Sequence, residues 1–153
     1  MKLRNIFPVV LCILIGFFMG IFLFKQYKTD TDLVSLTGEN IYFLQTGVYS
    51  SIDSMKEAMK NTNYYIYTKE NNMYYSYIGI TKNEKNLEKL KEFYKNEGYD
   101  IYVREIFVSN IAFITFLDQY DLLLNETTDT KIIKSIENQI LNKYEELIKV
   151  DKN

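Results

Sequence analysis

The residues in this sequence best equipped to hold a ligand are one glutamine and a set of tyrosines at strand spacing. Gln45 lies midway along Ile41–Ser51 (IYFLQTGVYSS). A carboxamide donates and accepts hydrogen bonds at once, which suits hydroxyl- and amide-bearing ligands. Phe43, Tyr65, Tyr67, Met73, Tyr75 and Tyr77 recur at alternating positions of strand-like segments. Tyr offers a flat apolar body with a polar tip, useful on a wet binding face. The chain has 14 Tyr and no Trp, although a general bias toward Tyr, Asn, Lys and Ile accounts for part of that excess.

Catalytic chemistry has little to work with. There is no histidine, so the commonest general base and metal ligand is missing. The single cysteine, Cys12, lies in an apolar run and offers neither a disulfide nor a thiolate metal site. The carboxylates mostly alternate with Lys on helix-like stretches, the pattern of a solvated face. The expectation is a protein that is not an enzyme and takes no cofactor or metal. A net charge of −2 over 153 residues provides no basic field for nucleic acid.

The elements that must position these residues form a repeat. Ile41–Val48 reads as a strand, followed by a helix capped by Ser51, with Ile52, Met55, Ala58 and Met59 on one face. Tyr64–Lys69 is a second strand, Asn71-Asn72 a two-residue hairpin turn and Met73–Ile80 a third strand. A second helix follows, capped by Asn83 or Thr81, with Leu87, Leu90, Phe93 and Tyr94 buried and Gly98 just past its end. Asp100–Val108 is the fourth strand. Offsetting the chain by 32 places Tyr42 on Tyr74, Gly47 on Gly79 and Ser51 on Asn83. The expected fold class is α+β, in the order β-α-β-β-α-β of ferredoxin-like and ribonucleoprotein-like domains. Its two helices would lie on one face of a four-stranded antiparallel sheet and leave the other face open.

Period two then sorts the side chains. Leu44, Val48, Ile66, Ile78, Ile80, Ile101 and Val103 are expected to face the helices. Phe43, Gln45, Tyr65, Tyr67, Met73, Tyr75, Tyr77, Tyr102 and Arg104 are expected to face away. A ribonucleoprotein-like base-stacking surface is disfavoured by the acidic balance and the scarcity of Arg and Lys on that face.

At Ile41–Ile106 the chain resembles the SPOR domain, a bacterial peptidoglycan-binding module. The resemblance rests on an aromatic-x-x-Gln-x-Gly-x-aromatic-Ser outline at Tyr42, Gln45, Gly47, Tyr49 and Ser50. A second outline, Tyr-Arg-x-x-x-Gly, falls on Tyr74, Tyr75 and Gly79, and Gly98-Tyr99 also fits. Tyr75 stands where the family has Arg, and Ile80-Thr81 replace the usual Pro-Phe. The resemblance implies binding of glycan strands stripped of their stem peptides, with Gln45, Val48, Met73 and Tyr75 as carried-over site residues.

Outside that segment, Ile6–Phe24 is uncharged and long enough at 1.5 Å per residue to cross the roughly 30 Å hydrocarbon layer. Bulky Phe22-Leu23-Phe24-Lys25 does not make a signal-peptidase site. The expected layout is therefore a membrane anchor over 1–24, a linker over 25–40, the SPOR-like domain over 41–108 and a helical extension over 109–153. Ser109 and Thr130 or Asp129 are the expected caps of the two C-terminal helices. Those helices would fold as a hairpin on the domain, covering part of the sheet, or serve as a coiled coil for a partner. The sequence thus points to a membrane-anchored, extracytoplasmic binder of peptidoglycan glycan strands in division or sporulation. The alternative is a membrane-tethered protein-interaction domain whose sheet face the C-terminal helices cover.

Overall fold

The computed structural model describes residues 38–150, with side chains to residue 149. The expected anchor, and the linker up to residue 37, lie outside the described residues. Among the described residues no helix is long and apolar enough to cross a membrane.

The elements are β1 (Glu39–Tyr49), α1 (Ile52–Ala58), β2 (Ile66–Glu70), β3 (Met73–Thr81), α2 (Glu84–Asn96), β4 (Tyr102–Val108), α3 (Ile111–Glu126) and α4 (Thr130–Val150). The four strands make one antiparallel sheet in the order β2-β3-β1-β4. The expected α+β class and element order are both present. Strand β1 begins two residues early, so Glu39 and Asn40 belong to the sheet and not to the linker.

Local chemistry explains the boundaries. Ser51 caps α1 by accepting from the Ser54 N–H, and Asn83 caps α2 by accepting from Lys85 and Asn86. Asn71 and Asn72 turn the β2–β3 hairpin at φ 49° and 62°, and Gly98 follows α2 at φ 91°. Such angles suit Asn and Gly because a Cβ is crowded there. Asn110, one residue after the expected Ser109, caps α3 through the Phe113 N–H. The Asp129 carboxylate accepts from the Lys131 and Ile132 N–H groups at the start of α4. We expect Asn83→Ala to lower stability by about 1 kcal/mol, since two N–H groups lose their acceptor. A urea melt that does not move would contradict that role.

Directly opposed residues in a ladder share a face, so the pairing sorts the sheet. One face, here the front, carries Phe43 with Arg104 and Ile80, Gln45 with Tyr77 and Tyr102, and Val48 with Tyr75. Across the hairpin, Ile66 opposes Tyr77, Thr68 opposes Tyr75 and Glu70 opposes Met73, so they too lie in front. The back carries Leu44 with Gly79 and Val103, and Gly47 with Ser76 and Tyr67. Helices α1 and α2 cover the back: Thr46 Oγ1 meets Met59 Sδ at 3.4 Å, and Tyr94 packs beside Gly79.

Several expected directions are therefore reversed. Val48, Ile66 and Ile80 lie on the front, and Tyr67 lies on the back. The β1–β3 ladder skips Ile78 on one strand and Thr46 on the other, and each extra residue resets the alternation for Ile80 and Val48, whereas Ile66 and Tyr67 take their faces from the unbroken β2–β3 pairing.

The front is not wholly open either. Hairpin α3–α4 covers part of it: Phe43 packs edge-on against Tyr144 at 4.9 Å and against Tyr77 at 5.4 Å, and Phe113 lies 5.3 Å from Tyr144. Ile41, Phe43, Ile66, Tyr77 and Ile80 are fully buried in this second core.

Helix α4 also closes a gap in the sheet. Strand β2 pairs with β3 only over Met73–Tyr77, leaving the next stretch of that β3 edge without a strand. Tyr94 donates its hydroxyl proton to the Ile78 carbonyl at 2.6 Å, and Glu137 Oε2 accepts from the Ile80 N–H at 2.9 Å. Asp121, on α3, accepts from the Thr81 hydroxyl, the Lys82 N–H and the Asn86 amide.

Candidate functional site: the uncovered strip of the sheet

What the hairpin leaves accessible on the front is a strip crossing all four strands. It holds Thr68 and Glu70 from β2, Met73 and Tyr75 from β3, Gln45 and Val48 from β1, and Tyr102 and Arg104 from β4. Tyr102 is 64% exposed and Val48 43% exposed, while the others are half-buried. Each side chain is rooted in a paired strand, so the backbone beneath the strip is fixed.

Arg104 organises it. The side chain reaches from β4 across β1, and its guanidinium lies 4.8 Å from the centre of the Tyr75 ring. Nη1 donates to the Tyr77 hydroxyl at 3.0 Å and Nη2 to Glu70 Oε2 at 2.6 Å. The bond to Glu70 raises the guanidinium's pKa further, against a lowering by burial, so the charge is permanent. A planar cation stacked on an aromatic ring, with N–H groups to spare, can meet hydroxyl, amide or carboxylate oxygens. Gln45, between Tyr77 and Tyr102 in the ladder, adds a carboxamide with no hydrogen bond inside the protein.

Of the residues expected to form the site, Gln45, Val48, Met73 and Tyr75 are brought together here. Phe43 and Tyr77 are not available, because both are 0% exposed beneath the hairpin. Tyr67 opposes Ser76 on the back, its ring tilted at 53° to that of Tyr74 and 6.1 Å from it. Tyr65 precedes β2, half-buried, and is not a strand residue. Glu70 and Thr68 were missed, and Arg104 and Tyr102 were placed on the right face without being counted as ligand contacts. A signal for Arg104 existed: it and Arg4 are the only arginines in a lysine-rich chain.

Among the described residues no group of three or more Cys, Asp or Glu is placed to hold a metal ion. Fold and strip define an α+β domain with a helix-covered back and a polar-aromatic strip open in front. Comparison with family models, curated proteins and solved structures found no match.

Proposed function

We propose that this protein is a non-enzymatic binder of peptidoglycan glycan strands lacking stem peptides, as the SPOR-like sequence pattern implies. In this reading the ferredoxin-like domain is held outside the cytoplasm by the Met1–Phe24 anchor and acts in division or sporulation. The observation that carries it is Arg104 over Tyr75. Tyr75 replaces the family's arginine on the third strand, and a guanidinium from β4 occupies the space above it. Gln45 supplies the carboxamide, Met73 and Val48 the apolar flanks, and Tyr102 an exposed ring for the C–H face of a sugar.

The test is co-sedimentation of the purified full chain with cell-wall sacculi, before and after an amidase removes stem peptides. Binding is expected to rise after amidase treatment. Gln45→Ala with Arg104→Ala is expected to weaken it about tenfold or more, the scale of one or two lost hydrogen bonds to a charged donor. Binding indifferent to amidase would sink the reading.

A second reading, a protein-interaction domain, is favoured by one observation. The hairpin buries Phe43 and Tyr77 while exposing Leu122, Leu123 and Ile132 on its own surface. In that case sacculi retain no protein under either condition.

A further inference from the structure

A second polar recess lies away from the strip, between the α1–β2 connection, the end of α2 and the first half of α4. Asn61, Asn63, Tyr94, Tyr99, Lys134 and Asn138 line it, and its volume is about 120 Å³. Drug-sized ligands need a few hundred Å³ or more, so this one admits something the size of a single ring.

Its chemistry is specific. The three asparagine carboxamides make no hydrogen bond within the protein, so six N–H donors and three carbonyl oxygens are uncommitted around the recess, with Asn61 and Asn63 exposed and Asn138 half-buried. The phenol protons are already placed: Tyr99 donates to Thr62 Oγ1 at 3.0 Å and Tyr94 to the Ile78 carbonyl. The tyrosines therefore offer ring faces and oxygen lone pairs. The only charges on the wall, Lys134 and Glu97, are paired with each other at 2.5 Å. A wall of rings, amides and a self-neutralised ion pair favours an uncharged ligand rich in hydroxyl and amide groups.

We propose that this recess binds a single neutral pyranose ring, with an acetamido substituent matched by the asparagine amides. It does not rest on the strip's function, since no residue is shared between the two. The ring could be a free sugar or the end of a glycan strand.

The test is saturation-transfer NMR on the full chain with N-acetylglucosamine, and separately with its β-1,4-linked tetramer. The expected result is saturable binding of the monosaccharide in the millimolar range. Asn63→Ala with Asn138→Ala should weaken it about tenfold or more, as two hydrogen bonds are lost, while the melting temperature stays unchanged. Because neither amide has a partner in the protein, this variant is expected to fold normally. Equal affinity for tetramer and monomer marks a chain-end site, and loss of the tetramer marks a free-sugar site. Two outcomes overturn the proposal: no saturable signal, or binding retained in the asparagine variant, and in the second case its loss in Gln45→Ala with Arg104→Ala would assign the sugar to the strip.

Discussion

Replacing Phe43 by Ala is expected to cost about 3–5 kcal/mol, the range for deleting a buried aromatic ring. Phe43 is 0% exposed and wedged between Tyr77 and Tyr144. The ring's removal would leave a void that two packed elements, a sheet and a helix, cannot both relax into. Small domains have only about 5–15 kcal/mol in total, so the urea midpoint should fall steeply. Tyr75→Ala is the control. Tyr75 is half-buried on the open strip, and its loss forfeits mainly the contact with Arg104, worth about 0.5–1 kcal/mol. If Phe43→Ala melts like the wild type and loses only ligand, the hairpin does not cover the front face as described.

The second large effect concerns Glu137. Its carboxyl is buried, accepts from the Ile80 N–H through Oε2 and has no partner at Oε1. Burial pushes its pKa well above the usual 4.5. The Ile80 N–H opposes that shift, and Asp121 on α3 reinforces it. Tyr94, the other titratable neighbour, is itself pushed well above the ordinary phenol value by burial and so stays neutral. The folded state therefore binds a proton that the unfolded state releases above about pH 4.5. Stability from this group is complete below that pH and falls as pH rises toward the folded-state value. The slope is at most about 1.4 kcal/mol per pH unit. Glu137→Gln keeps an acceptor for Ile80 and removes the titration. It should match the wild type near pH 5 and exceed it at pH 9. Glu137→Leu leaves the N–H unpaired and should lose about 1–3 kcal/mol even at pH 5. Parallel stability–pH curves for wild type and Glu137→Gln would rule this account out.

Much of the fold was legible because it is written in local chemistry. Ser51, Asn83, Gly98 and the Asn71-Asn72 turn each satisfy a backbone requirement within a few residues of themselves, and all four sit where expected. The alternation was legible only as far as the first bulge. Thr46 and Ile78 look like ordinary strand residues, and nothing beside them announces that the ladder skips each one. Tyr67 is different, because its face could have been derived. A two-residue turn at Asn71-Asn72 sets Glu70 against Met73, and counting back sets Tyr67 against Ser76, on the face opposite Tyr75. Of the site, Gln45, Met73 and Tyr75 were readable as open positions. Phe43 and Tyr77 were not, since an aromatic on a strand fits equally well under water or under a helix. What covers Phe43 is Tyr144, on an element about a hundred residues further along.

That separation sets an order of events during synthesis. When Val108 leaves the ribosome, all four strands and both back helices have been made, yet Phe43, Ile66, Tyr77 and Ile80 still have no helix in front of them. At about 5–20 residues per second, the chain waits roughly two to eight seconds for the forty-odd residues that bring α3 and α4. The sheet's aromatic surface is sticky throughout that interval, and the Ile80 N–H at the β3 edge still lacks the Glu137 carboxyl that accepts from it. A nascent chain stalled there is the form of this protein with most need of a chaperone.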